Sequence, residues 1–165
     1  MALVPVFLAA GCSAADGPKP AASSRSPSAV TSGVGPMVSC SHDLGATAPG
    51  DGYQLVLDAV ALPTATLVPQ ESGEPDRLFA KSGLVVRANT PIGITVAPDA
   101  AARARIGWDS PGPEGTTIRV PACPSDSGWL AFAGGYTVRT PACVRLVVRA
   151  HGREERAGVS VGVAC

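Results

Sequence analysis

From residue 53 onward, apolar and polar positions alternate in short runs. "PIGITVAP" puts Ile92, Ile94 and Val96 on one face, and "CVRLVVRA" sets Val144, Leu146 and Val148 against Arg145 and Arg149. After the turn residues His151-Gly152, "AGVSVGV" repeats the alternation through Val159, Val161 and Val163. A period of two marks a strand with one buried face. Further runs are "YQLVLDAVAL" (53 to 62), "LVVRA" (84 to 88), "ARIGW" (104 to 108), "TTIRV" (116 to 120) and "GWLAFA" (128 to 133). The strands are short, and the turns between them are too short for helical crossovers. That pattern predicts an all-β fold over residues 37–165, an antiparallel immunoglobulin-like β-sandwich, with a barrel as the other way of closing it. The one candidate helix is "APDAAARARI" (97 to 106), where Asp99 would cap a turn or two.

The N-terminal end follows another pattern. "ALVPVFLAA" (2 to 10) is an unbroken apolar stretch. It has the length of a signal-peptide core and falls far short of the roughly 20 residues of a membrane-spanning helix. Ala9-Ala10-Gly11-Cys12 then resembles the bacterial lipobox, in which small residues fit the peptidase groove and a cysteine thiol accepts the lipid. Residues 1–11 therefore read as a lipoprotein signal peptide and Cys12 as the lipidation site. Ala9 stands where Leu is commonest, and no Lys or Arg precedes the apolar run, so a start upstream of Met1 that adds a basic residue is expected. Residues 12–36 are mostly Ala, Ser, Pro and Gly without apolar periodicity. Such a stretch buries too little surface to offset its conformational entropy and reads as a disordered tether. The expected partner at this end is the membrane, through lipid on Cys12, and the expected location is the extracellular face of the cell membrane.

Composition sharpens this picture. Gly (19) and Pro (16) make up about a fifth of the 165 residues, against a usual share of roughly an eighth, which favours turns over helices. Thirteen basic residues balance thirteen acidic ones, and no concentrated basic face is visible. Nucleic acid, which demands phosphate neutralisation, is not an expected partner. With Cys12 set aside, Cys40, Cys123, Cys143 and Cys165 form an even set, and an exported chain is expected to close them into two disulfides. Four cysteines allow three pairings. The repeat Pro121-Ala122-Cys123 and Pro141-Ala142-Cys143 favours Cys123–Cys143, leaving Cys40–Cys165 to join the ends of the domain.

Several stretches suggest chemistry. Gly158-Val159-Ser160-Val161-Gly162 matches the G-x-S-x-G nucleophile elbow, which needs a following helix and a later acid and histidine. Only three residues follow Gly162, so Ser160 reads as the polar face of a strand. Met37, Cys40 and His42 offer soft ligands for an exported copper site, a remote alternative because no C-x-x-C pair supports it. His42 and His151 otherwise read as loop histidines. Trp129 reads as core, while Trp108 and Tyr136 are candidate ligand contacts if they share an exposed face. Gly134-Gly135 marks a place where backbones come close, and Glu154-Glu155 reads as solvated charge. No catalytic constellation and no cofactor are expected.

"KSGLVVRA" from Lys81, the "IGW" strand, "WLAFAGGYTV" and "PACVRLVV", with a cysteine at the very end, resemble secreted or lipid-anchored actinobacterial proteins of uncharacterised function. The resemblance covers roughly the last half of the chain and implies a compartment and a fold, with no activity to carry over. The functional expectation is a non-catalytic binding or envelope-assembly module for an envelope protein. The alternative is a module that binds cell-wall glycan through Trp108 and Tyr136.

Overall fold

The computed structural model describes residues 34–110 and 112–165. The expected signal peptide, Cys12 and the tether up to residue 33 lie outside them. The alternating runs form strands: β1 (Tyr53–Val56), β2 (Val60–Pro63), β3 (Gln70–Glu71), β4 (Leu78–Lys81), β5 (Leu84–Arg87) and β6 (Ile92–Val96). The later ones are β7 (Ala104–Trp108), β8 (Thr117–Val120), β9 (Trp129–Phe132), β10 (Gly134–Val138), β11 (Ala142–Ala150) and β12 (Arg153–Val161). No α-helix occurs among the described residues.

The strands pair antiparallel into three sheets, ordered β1-β2-β5-β9, β3-β4-β10-β7 and β12-β11-β6-β8. The first two sheets share two bent ribbons. Leu84 faces Phe132 in one and Lys81 faces Gly135 in the other, so residues 78–87 and 129–138 turn the same corner side by side. Gly134 makes that corner possible. A Cβ there would sit 2.0 Å from the Gly107 carbonyl oxygen and 2.7 Å from Trp108 Cα. At the next position a Cβ would meet the Ala80 oxygen at 2.1 Å. Single bridges tie β7 of the second sheet, at Ile106, to Gly115 just before β8, and β12 of the third sheet, at Val161, to Leu67 just before β3. The result is a sandwich-like, all-β enclosure around one core. Phe132, Ile94, Ile106, Ile118, Leu130 and Leu146 are almost wholly buried there, each stabilising by roughly 1.5–3 kcal/mol.

Two local expectations change. "YQLVLDAVAL" is not one strand, because Leu57 and Asp58 adopt left-handed φ values of 53° and 55° and turn the chain back from β1 into β2. Such turns normally carry Gly or Asn; here burial of Leu57 in the core outweighs its backbone cost. The candidate helix at 97–106 is a series of turns followed by β7. Five ladder positions against β10 draw residues 104–108 into the sheet. Asp99 does not cap; its carboxylate pairs with the Arg145 guanidinium at 2.8 Å.

Candidate functional site

The four cysteines beyond Cys12 form two disulfides, but not in the expected pairing. Cys40 bonds Cys123, and Cys143 bonds Cys165. Side-chain direction is the physical reason. Cys123 points into the core and is 1% exposed. Cys143 alternates with buried Val144 and so shares the outward face of β11 with Arg145 and Arg149. The repeat of Pro-Ala-Cys therefore places one sulfur inside the core and the other on the outer face. Cys143 faces Ser160 across the β11–β12 ladder. The chain after Gly162 returns over that face, where Gly158 leaves room for both sulfurs of the pair, and the Cys165 amide donates to Ser160 Oγ at 3.0 Å.

Trp108 and Tyr136 do not form an exposed platform. They are 2% and 1% exposed and meet edge to face in the core, with ring centroids 5.5 Å apart. Trp108 Nε1 donates to the Ser82 carbonyl at 2.9 Å. Burial raises the Tyr136 phenol above its ordinary range. Trp108 occupies an inward position of the alternating strand β7, whereas every position of β10, Tyr136 included, is buried. The glycan-binding alternative loses the two contacts on which it rested. Trp129 is buried, but outside the core cluster that holds its neighbours Leu130 and Phe132, with the Arg87 guanidinium 4.1 Å from its ring centre.

The stretch around Cys40 is a strap. Val38 N donates to the Arg119 carbonyl, and Arg119 N to the Pro36 carbonyl, so residues 36–38 run alongside β8. The contact begins within the expected tether, since Arg119 Nε donates to the Gly35 carbonyl at 3.0 Å. His42 Nδ1 pairs with the nearly buried Asp109 carboxylate, whose second oxygen accepts from Ser39 N at 3.0 Å. Asp43 Oδ1 accepts from Ala131 N at 2.8 Å. The soft ligand set is broken up by this arrangement: Cys40 is held as a disulfide, and the His42 ring nitrogen faces Asp109. Ser160 sits inside β12, not on a strand-to-helix turn, so the elbow geometry is absent.

The sequence reading missed a groove of about 580 Å³ on the outer face of the β12-β11-β6-β8 sheet. Met37 and the β11–β12 hairpin tip at His151-Gly152 stand among its lining. Across its floor, Arg119, Gly93 and Arg149 occupy adjacent strands in register. At a strand spacing of about 4.8 Å, the two arginine Cα atoms stand roughly 10 Å apart across a bare glycine. In the next row Thr117 Oγ1 donates to Thr95 Oγ1 at 3.2 Å. Met37, Pro91 and Pro121 add apolar surface. The lining carries three arginines, Arg119, Arg149 and Arg153, against one carboxylate, Glu154, a formal +2 in a chain whose total is zero. The available signal was Gly93 itself, a glycine inside an otherwise regular strand. Compared with protein-family models, curated proteins and solved structures, the chain matches none.

Proposed function

We propose that the chain is an exported lipoprotein, anchored by lipid on Cys12 and spaced from the membrane by residues 13–33, whose β-sandwich acts by binding. The observation that carries this reading is the pairing of Cys40, Cys123, Cys143 and Cys165 into two disulfides. Such pairs persist in oxidising compartments. An immunoglobulin-like organisation is the finer assignment, supported by all-antiparallel ladders around one core and by a disulfide cysteine, Cys123, inside that core. Binding is favoured over catalysis because each nucleophile motif in the sequence serves structure: Ser160 holds the C-terminal tail, and His42 and Asp109 hold the strap. The surface offered to a partner is the groove around Gly93.

The test is the intact mass of protein extracted from its native membrane, alkylated with and without reduction. A diacylglycerol-sized addition at Cys12, with four cysteines alkylating only after reduction, is the expected result. A bare Cys12 overturns the anchor, and free thiols among the four overturn the exported, stapled domain.

A further inference from the structure

We infer that the Arg119–Gly93–Arg149 row binds the phosphate group of a small phosphomonoester, whose apolar remainder packs on Met37, Pro91 and Pro121. The inference rests on the binding-module reading above and names the ligand class of that groove.

Gly93 is the key to it. Glycine in the middle of a strand weakens the strand and is kept where another backbone or a ligand must come close. No neighbour among the described residues demands it here. A Cβ at Gly93 would have only Arg149 Cβ within 4 Å, at 3.8 Å, an ordinary contact, and Gly93 is not among the glycines with positive φ. Gly134 and Gly135 are required by backbones packed against them, but Gly93 opens a trough that none of the described residues fills.

The groups beside the trough suit an oxyanion. Guanidinium forks match phosphate oxygens in geometry and charge, and charge-assisted hydrogen bonds are the strong ones. Among the described residues, Arg119 donates from Nε alone, to the Gly35 carbonyl. Arg149 pairs with Glu154 at 2.7 Å, but both side chains are nearly half exposed, and such surface pairs contribute little and exchange readily. The hydroxyls of Thr95 and Thr117 lie one row away. A formal +2 lining balances a phosphomonoester dianion and exceeds what a single carboxylate would neutralise. A volume of about 580 Å³ falls within the range of small-molecule sites.

The experiment is a titration of the oxidised, ¹⁵N-labelled full chain with phenyl phosphate, with benzoate and benzyl alcohol as comparators. Phenyl phosphate is expected to shift the Gly93, Thr95 and Thr117 amides and to bind more tightly than either comparator. Arg119→Gln and Arg149→Gln each weaken it by about tenfold or more. Glu154→Gln tightens it by releasing Arg149. Binding weakens below about pH 6, where the phosphate loses its second charge. Gly93→Val abolishes binding while the melting temperature holds or rises, which separates a filled trough from a damaged fold. Binding indifferent to Gly93→Val and to both arginine variants overturns the inference. So does benzoate binding as tightly, or no saturable binding at millimolar concentrations. A protein that carries its lipid and disulfides but ignores phenyl phosphate removes this site and leaves the anchored module standing.

Discussion

Removing the Cys40–Cys123 staple destabilises the domain more than removing Cys143–Cys165. The two bridges span 83 and 22 residues. In the chain-entropy account these loops stabilise by about 4.5 and about 3.4 kcal/mol at 25 °C. The surroundings widen the gap. Cys123 is packed in the core, so Cys123→Ser also buries a hydroxyl, at a cost of about 1–3 kcal/mol. Cys143 and Cys165 lie on the outer face, and the nine-position β11–β12 ladder already holds the strands beneath them together. For residues 34–165 the entropy of unfolding is about 0.28 kcal/mol/K. Cys40→Ser/Cys123→Ser should therefore lower the melting temperature by about 16 °C or more, and Cys143→Ser/Cys165→Ser by about 12 °C at most. Circular-dichroism melts of the two double variants, with peptide mapping under non-reducing conditions, measure both the pairing and the order. Equal shifts, the reverse order, or a Cys123–Cys143 peptide would refute the reasoning.

Three further outcomes follow from geometry. Gly134→Ala places a methyl against the Gly107 carbonyl and should cost more than 3 kcal/mol, read as loss of the cooperative denaturant transition; a variant that melts like wild type sinks the corner argument. Asp109→Ala strips the partners from Ser39 N and His42 Nδ1 and should cost about 1–3 kcal/mol, seen as a lower melting temperature and faster proteolysis near residues 39–45. Tyr136 is held protonated by burial, whereas the unfolded phenol ionises near pH 10. The folded pKa is the higher one, so stability present below pH 10 falls as pH rises above it, by about 1.4 kcal/mol per unit. Denaturant midpoints between pH 9 and 11.5 test this, and Tyr136→Phe should flatten the decline.

Strand positions were legible because alternation is a local property. Ile92, Ile94 and Val96 face the core as their spacing requires, and the paired glycines at 134 and 135 do mark a close approach of backbones. Pairing across the fold was not legible. The chain separates Cys123 from Cys143 by little, but Cys123, in the loop after β8, turns its sulfur into the core, while strand parity turns that of Cys143 outward. Parity buries Trp108, and Tyr136 lies in β10, which is covered on both faces; aromatic character alone could not distinguish core from platform. The groove needed three strands in register before Arg119, Gly93 and Arg149 became neighbours, and no single run of sequence contains that row.

The pairing of cysteines also sets how this domain responds to a pull. Tension applied between the two ends of the chain passes from Cys40 directly to Cys123, and from Cys143 directly to Cys165. Residues 41–122 and 144–164 are bypassed by covalent bonds. Beyond the strap that leads up to Cys40, only the stretch from Cys123 to Cys143 lies on the load path, and at about 3.5 Å per residue it spans at most about 70 Å when fully extended. The β6, β8, β11 and β12 ladders are off that path, so stretching draws out β9 and β10 while the sheet that carries the arginine row lies within the bypassed loops, apart from the first two residues of β11. A domain stapled in this way has a short fixed stroke.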